Sequence, residues 1–179
     1  MQKIIILLSL VLSFQVIALE DTWLLIDTKK KTVDVRQGRQ RLARFKKISL
    51  GKNGAGYKQK RGDNITPIGR YQITHINKKS RFKFFFGLNY PTLFDADRGV
   101  SRGRINYTEY LAIQQAHSRG AVPPQTTPLG GAIGIHGVGS GNALVQGEFD
   151  WTQGCIALSN KQIEQLERWI YIGMQVDIK

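Results

Sequence analysis

Two side chains carry most of the chemistry this chain can offer: Cys155, its only cysteine, and His136, which closes an apolar run. Cys155 stands in Thr152-Gln153-Gly154-Cys155, and His136 in Gly-Ile-His-Gly-Val-Gly, where glycines let the backbone approach a ligand. By type alone the cysteine reads as a small buried hydrophobe or as a reactive thiol. The histidine reads as the plain end of a strand or as an acid–base group. As a pair they suggest more. A thiol attacks as the thiolate, and with a free pKa near ~8.5 only a few per cent is ionised at neutral pH. An imidazole within hydrogen-bond reach takes that proton and later returns it to a leaving amine. No Asp or Glu stands beside His136, so a backbone carbonyl is expected to orient the ring, with Gly137 the candidate. Gly154 has no side chain, and the N–H groups of Gly154 and Cys155 are expected to converge on a developing oxyanion. The reaction such a set serves is acyl transfer.

Other chemistries find less support. His75 and His117 complete the histidines, and no Cys-x-x-Cys, His-x-x-x-His or His-Glu-x-x-His spacing exists, so neither metal nor cofactor is expected. His75 falls in a strand-like run and His117 near a helix end, as surface or capping residues. Trp151 is expected to pack beside the thiol. The "GKNGAG" run at 51–56 lacks the Gly-Lys-Ser/Thr ending of a phosphate loop and reads as a turn.

The elements that must position this pair are mostly strands. Trp23 to Ile26 and Thr32 to Val35 flank a lysine turn as a hairpin, and Ala43 to Leu50 alternates as a third strand. Arg70 to Ile76 and Arg81 to Pro91 continue the β pattern, and Ala132 to Ile135 leads into His136. A helix is expected over 106–119. A second is expected behind the capping box of Ser159 and Gln162, carrying Ile163, Leu166 and Ile170 and stopped by Gly173. Met174 to Ile178 closes the chain as a strand. Strand-turn units without repeats or linkers imply one mainly β domain, a sandwich or small barrel with two or three short helices.

At 179 residues one domain with its own core is the expectation. Residues 1–18 read as a secretory signal, with Lys3 as the positive region, Ile4 to Leu12 as the apolar core and Val16-Ile17-Ala18 before cleavage, leaving 19–179 as the domain. The alternative, a retained anchor, has an apolar run short of the ~20 residues a span needs. The chain would thus be exported, to a periplasm or cell envelope, with no membrane span after cleavage. Its formal charge of +13 would suggest nucleic acid in a cytoplasmic protein, but after export the available polyanions are cell-surface polymers and lipid headgroups, so no nucleic-acid partner is expected. A lone cysteine in an oxidising compartment has no partner within the chain and stands out as reactive or intermolecular.

A specific resemblance gathers these residues. "IHG" at 135–137 and "TQGCIALSN" at 152–160 resemble the His-Gly and Ser/Thr-x-Gly-Cys motif pair of the L,D-transpeptidase catalytic domain, the YkuD family. "TPIGRY" at 66–71 resembles the segment that precedes that family's catalytic half, and "SRFKFFFGLNYP" at 80–91 is similar to one of its branches. The resemblance spans about residues 22–179. It implies an L,D-transpeptidase-like β fold acting on peptidoglycan stem peptides, where the thiolate attacks the amide after the third residue, releases D-alanine and passes the stem to an amine. Carried over by position, Cys155 is the nucleophile, His136 the base, Gly137 the carbonyl orienter, Gly154 and Cys155 the oxyanion donors, and Thr152 the motif's hydroxyl. The chain departs from the pattern at Ala157, where many members carry an arginine near the substrate carboxylate. Thr152 is expected to contact the substrate, and the substrate carboxylate is then expected to be bound by Arg81, Arg70 or a loop lysine. Within the enzyme class the alternatives are an L,D-carboxypeptidase or an amidase; outside it, a non-catalytic wall-binding module with a structural cysteine. A monomer is expected.

Overall fold

The computed structural model describes residues 21–179, so the leader expected over 1–18 lies outside the described residues. Its framework is an eight-stranded mixed sheet. Strands β1 (Thr22–Asp27) and β2 (Thr32–Gln37) pair antiparallel through the turn that carries Lys29 to Lys31, as the alternation requires. Strand β3 (Gln40–Lys46) follows through a two-residue turn, where Gly38 takes the positive φ of +51° that such turns need. The strand expected over 43–50 is displaced toward the N-terminus and ends at Lys46, because Lys47 adopts a left-handed φ of +59° and breaks the ladder.

Two short strands, β4 (Ala55–Gly56) and β5 (Thr66–Pro67), form a separate parallel pair. The long strand β6 (Gly69–Ser80) and β7 (Lys83–Leu88) make an antiparallel hairpin with two register shifts. Helices α1 (Leu93–Ser101) and α2 (Tyr107–Ser118) then pack on each other, burying Ala96, Ile105, Ile113 and Leu129 in a small core of their own. The chain returns as β8 (Gly134–His136) and β9 (Ile156–Ala157), followed by α3 (Asn160–Glu167) and β10 (Gln175–Ile178). The strand order is β3-β2-β1-β10-β6-β7-β8-β9. Among the described residues no helix is long and apolar enough to cross a membrane.

Helix α1 is a third helix that the periodicity does not announce. Its start is nevertheless written locally, since Thr92 and Asp95 form a reciprocal capping box. In α3 the Ser159–Gln162 box forms as expected, but the helix stops at Glu167. Trp169 and Ile170 pack on the core from a turn, and Gly173, at φ +90°, hands the chain to β10 by donating its N–H to Ile73 O at 2.8 Å.

The sheet's two edges meet. Past β3, Ser49 exchanges both backbone hydrogen bonds with Ala157 of the far edge strand (2.9 and 2.8 Å), and Gly51 bridges Thr152. The rolled sheet thereby satisfies both sides of β9, the shortest kind of strand, whose backbone would otherwise lie unpaired at an edge. The main core, with Leu24, Ile26, Val33, Tyr71, Ile73, Phe86, Ile135, Ile156 and Val176 all but inaccessible, lies on the inner face.

Candidate active site

Strand register brings the two chemical residues together. In the parallel pair β8–β9, Ile135 lies opposite Ile156 and His136 opposite Ala157. Side chains alternate along a strand, so Cys155, two before Ala157, emerges on the face that carries His136. On the other side β7 sets Phe85 opposite His136, which adds its ring to the same face. Ile135, Ile156 and Phe86 occupy the opposite face and go into the core. The catalytic-type pair is thus a by-product of burying the alternate residues.

The imidazole is tightly held. His136 is 2 % exposed, stacked on Phe82 with ring centroids 4.3 Å apart, with Phe85 at 6.3 Å and the edge of Trp151 at 5.8 Å. Its Nδ1 lies 2.7 Å from Gly137 O. A carbonyl only accepts, so Nδ1 carries the proton and Nε2 is left as a basic lone pair. Burial pushes the His136 pKa down, the Arg81 charge pushes the same way, and the Gly137 carbonyl opposes both. The ring is therefore a neutral base at neutral pH. Gly137 admits no side chain, because a Cβ there would sit 2.7 Å from Phe82 O and 2.8 Å from Ile163.

Cys155 is a free, half-buried thiol. Its Sγ lies 3.3 Å from Ala132 O, to which it donates. Desolvation pushes its pKa up to about 11, against smaller opposing contributions from Gly134 and the Lys58 charge. The resting pair is thiol and imidazole, both neutral. Ala132 itself is not part of the expected strand 132–135: it stands at φ +53°, a left-handed conformation that non-glycine residues rarely adopt. Gln125 holds it there, accepting the Ala132 N–H at 2.6 Å while its amide nitrogen donates to Tyr90 O and Pro123 O.

The turn before the thiol is built by Thr152. Its hydroxyl donates to Cys155 O at 2.7 Å and accepts the Gly154 N–H at 3.1 Å. Thr66, from the "TPIGRY" segment, accepts the Gly51 N–H at 2.8 Å and lies 3.5 Å from Cys155 O. The threonine hydroxyl thus positions the turn, while Thr152 also lines the cleft where substrate contact is expected of it. The Gly154 N–H is likewise committed to that hydroxyl, which leaves Cys155 N–H as the donor the turn can offer an oxyanion. Gly154 itself is forced by conformation, with φ +129° and Ile65 O 2.8 Å from where a Cβ would stand.

Both residues open into a cleft of about 620 Å³. Phe82, Phe85, Trp151 and Thr152 line it, together with the cations Lys52, Lys58, Arg61 and Arg81. Arg81 therefore reaches the cleft. Arg70 does not: it lies on β6 with Nε 3.1 Å from Asp177 of β10 and is absent from the cleft lining, which corrects the expectation that it binds substrate. Alternation explains this, since neighbouring Tyr71 takes the inward position. Ala157, where an arginine was missed, is completely buried.

Several residues of the site carried no sequence signal. Gln146 donates to Lys47 O and Ala157 O and accepts from Trp151 Nε1 at 3.2 Å, tying the indole that touches His136 to β9. Asn160 exchanges two hydrogen bonds with the Gly139 backbone (2.8 and 2.7 Å), pinning the loop that leaves His136. Their partners are distant in sequence, so no local pattern marks them. His75 is exposed on β6, and His117 donates from Nε2 to Pro91 O at 2.8 Å as a structural tie.

Residues 21–178 match the family model of the L,D-transpeptidase catalytic domain. No curated protein sequence matches the chain at a significant level. Among solved structures the fold is similar to that of a K307A mutant of the helical cell shape determining protein Pgp2 from Campylobacter jejuni, with a TM-score of 0.60 and 22 % identity over 90 % of this chain and 48 % of that one. It is also similar to Bd1075 from Bdellovibrio bacteriovorus, with a TM-score of 0.57 and 20 % identity over 90 % of this chain and 48 % of that one. At these identities the likeness is one of fold. The chain spans about half the length of each.

Proposed function

We propose, for a chain that belongs to the L,D-transpeptidase catalytic domain family, the function of an exported cysteine acyltransferase that acts on peptidoglycan stem peptides. One observation carries the reading: His136, held neutral with Nδ1–H on Gly137 O, shares a face and a cleft with the half-buried Cys155 thiol.

The reaction follows from the atoms in place. His136 Nε2 takes the proton of Sγ as sulfur attacks the carbonyl carbon of the L,D amide, and the Cys155 N–H stabilises the oxyanion. The C–N bond then breaks, and the imidazolium gives its proton to the departing amine, leaving a thioester on Cys155. An acceptor amine attacks the thioester and surrenders its proton to His136. The C–S bond breaks, and the thiolate regains that proton. Water in place of the amine would give the L,D-carboxypeptidase outcome.

The test is digestion of purified peptidoglycan with product identification by mass spectrometry. Wild-type protein is expected to yield new cross-links or trimmed stems. Cys155→Ser is expected to yield neither, and His136→Ala to slow acylation by about 10²- to 10⁴-fold. Full activity in Cys155→Ser would refute the reading, and absence of any product together with no mass gain on a carbapenem would favour a wall-binding module.

A further inference from the structure

Three of the four cations of the cleft are not matched by any acid. Lys52, Lys58, Arg61 and Arg81 line it, and no Asp or Glu does. Lys58 is spent internally, buried against Asp63 with Nζ 2.5 Å from Oδ1. Among the described residues the other three have no ion-pair partner. They also fall in two groups. Lys52 sits beside the thiol's turn, its N–H on Thr152 O at 2.9 Å. Arg61 is held against the loop that precedes Ala132, with its N–H on Pro128 O at 2.7 Å and Nη2 on Gln125 O at 3.2 Å. Asp63 shapes the segment that presents it by accepting the N–H groups of Gln59, Lys60 and Ile65. Arg81 stands at the histidine's side, its guanidinium 4.7 Å from the Phe82 ring centroid on which His136 also stacks.

The direction of the reaction distinguishes the two groups. The leaving nitrogen must receive its proton from His136, so the leaving group lies beside the imidazole, where Arg81 is. The acyl portion stays bonded to Cys155, where Arg61 and Lys52 are. We infer that Arg81 binds the carboxylate of the departing terminal amino acid, while Arg61 and Lys52 bind a carboxylate on the acyl side of the stem. The inference rests on the proposed acyl transfer and deepens it. A guanidinium held over an aromatic ring and another tied to a backbone carbonyl are both pre-organised, so little ordering is lost when a carboxylate arrives. Together they supply from two loops the cationic contact that buried Ala157 lacks, and they make the enzyme act on stem ends that carry a free terminal carboxylate.

The measurement compares kcat/KM for a tetrapeptide donor with its C-terminal carboxamide, and for donors amidated instead at the γ-linked glutamate or at the third residue. Binding of each to Cys155→Ser is measured by calorimetry. Wild type is expected to prefer the terminal acid over the carboxamide by about 10- to 100-fold, the range for a hydrogen bond to a charged group. Arg81→Gln is expected to bring that ratio close to one. A Lys52→Gln/Arg61→Gln double variant should keep the ratio but lose discrimination against one of the internally amidated donors. An Arg81→Gln protein that keeps the wild-type ratio, or a wild type indifferent to the terminal carboxylate in both turnover and binding, overturns the inference. If wild type turns over no donor while calorimetry shows the predicted acid preference, the acyl-transfer reading fails and the two carboxylate sites stand.

Discussion

The state of the resting thiol makes a quantitative prediction. With its pKa pushed up to about 11 by burial, Cys155 is about one part in 10⁴ thiolate at pH 7. A free cysteine, with a pKa near ~8.5, is a few per cent thiolate, so the deficit is about 300-fold. The more basic thiolate is also the better nucleophile, which recovers roughly tenfold. A neutral reagent such as dipyridyl disulfide should therefore react with the folded protein about 30-fold more slowly than with free cysteine at pH 7, and its rate should keep rising with pH beyond 9. Because the chain has one cysteine, the release of pyridinethione reports that site alone. The denatured protein supplies the control and should react at the free-cysteine rate. His136→Ala should change the rate little, since a neutral imidazole does not hold a thiolate in the ground state. A folded protein that reacts faster than free cysteine, or titrates with an apparent pKa below ~8.5, would refute the neutral pair and indicate a thiolate–imidazolium ion pair instead.

Two further outcomes follow from the same geometry. The acid limb of kcat/KM is expected below pH ~6.5, because a depressed imidazole pKa keeps the base unprotonated to lower pH than a free histidine, and Arg81→Gln should move the limb upward by removing one depressing charge; a limb above that value would contradict the desolvated site. Gly154→Ala, forced into φ +129° with a Cβ 2.8 Å from Ile65 O, should lose about 1–3 kcal/mol of stability from backbone strain alone and misplace the thiol, seen as a lower urea midpoint with reduced activity; an unchanged midpoint would show that the turn has room.

What the sequence by itself determined is local. The β1–β2 hairpin, the Asn106 and Ser159 helix starts and the glycines around His136 and Cys155 are set by alternation, capping chemistry and side-chain absence, all of which act within a few residues. The motif pair named Cys155 and His136, and the missing acid beside the histidine pointed to the Gly137 carbonyl that Nδ1 meets. Strand ends were less legible, since Lys47 and Ala132 adopt left-handed conformations that their residue types do not announce. Only the tertiary structure decided which cations serve the cleft. Arg70 and Arg81 are equivalent in a list, but alternation on β6 turns one toward Asp177, while the turn into β7 stacks the other on Phe82. Arg61, Lys52, Gln146 and Asn160 entered the site through contacts with distant segments, and the closure of β9 by Ser49 spans the whole sheet. Those pairings are fixed by burying both faces of a rolled sheet at once, a condition no short stretch of sequence contains.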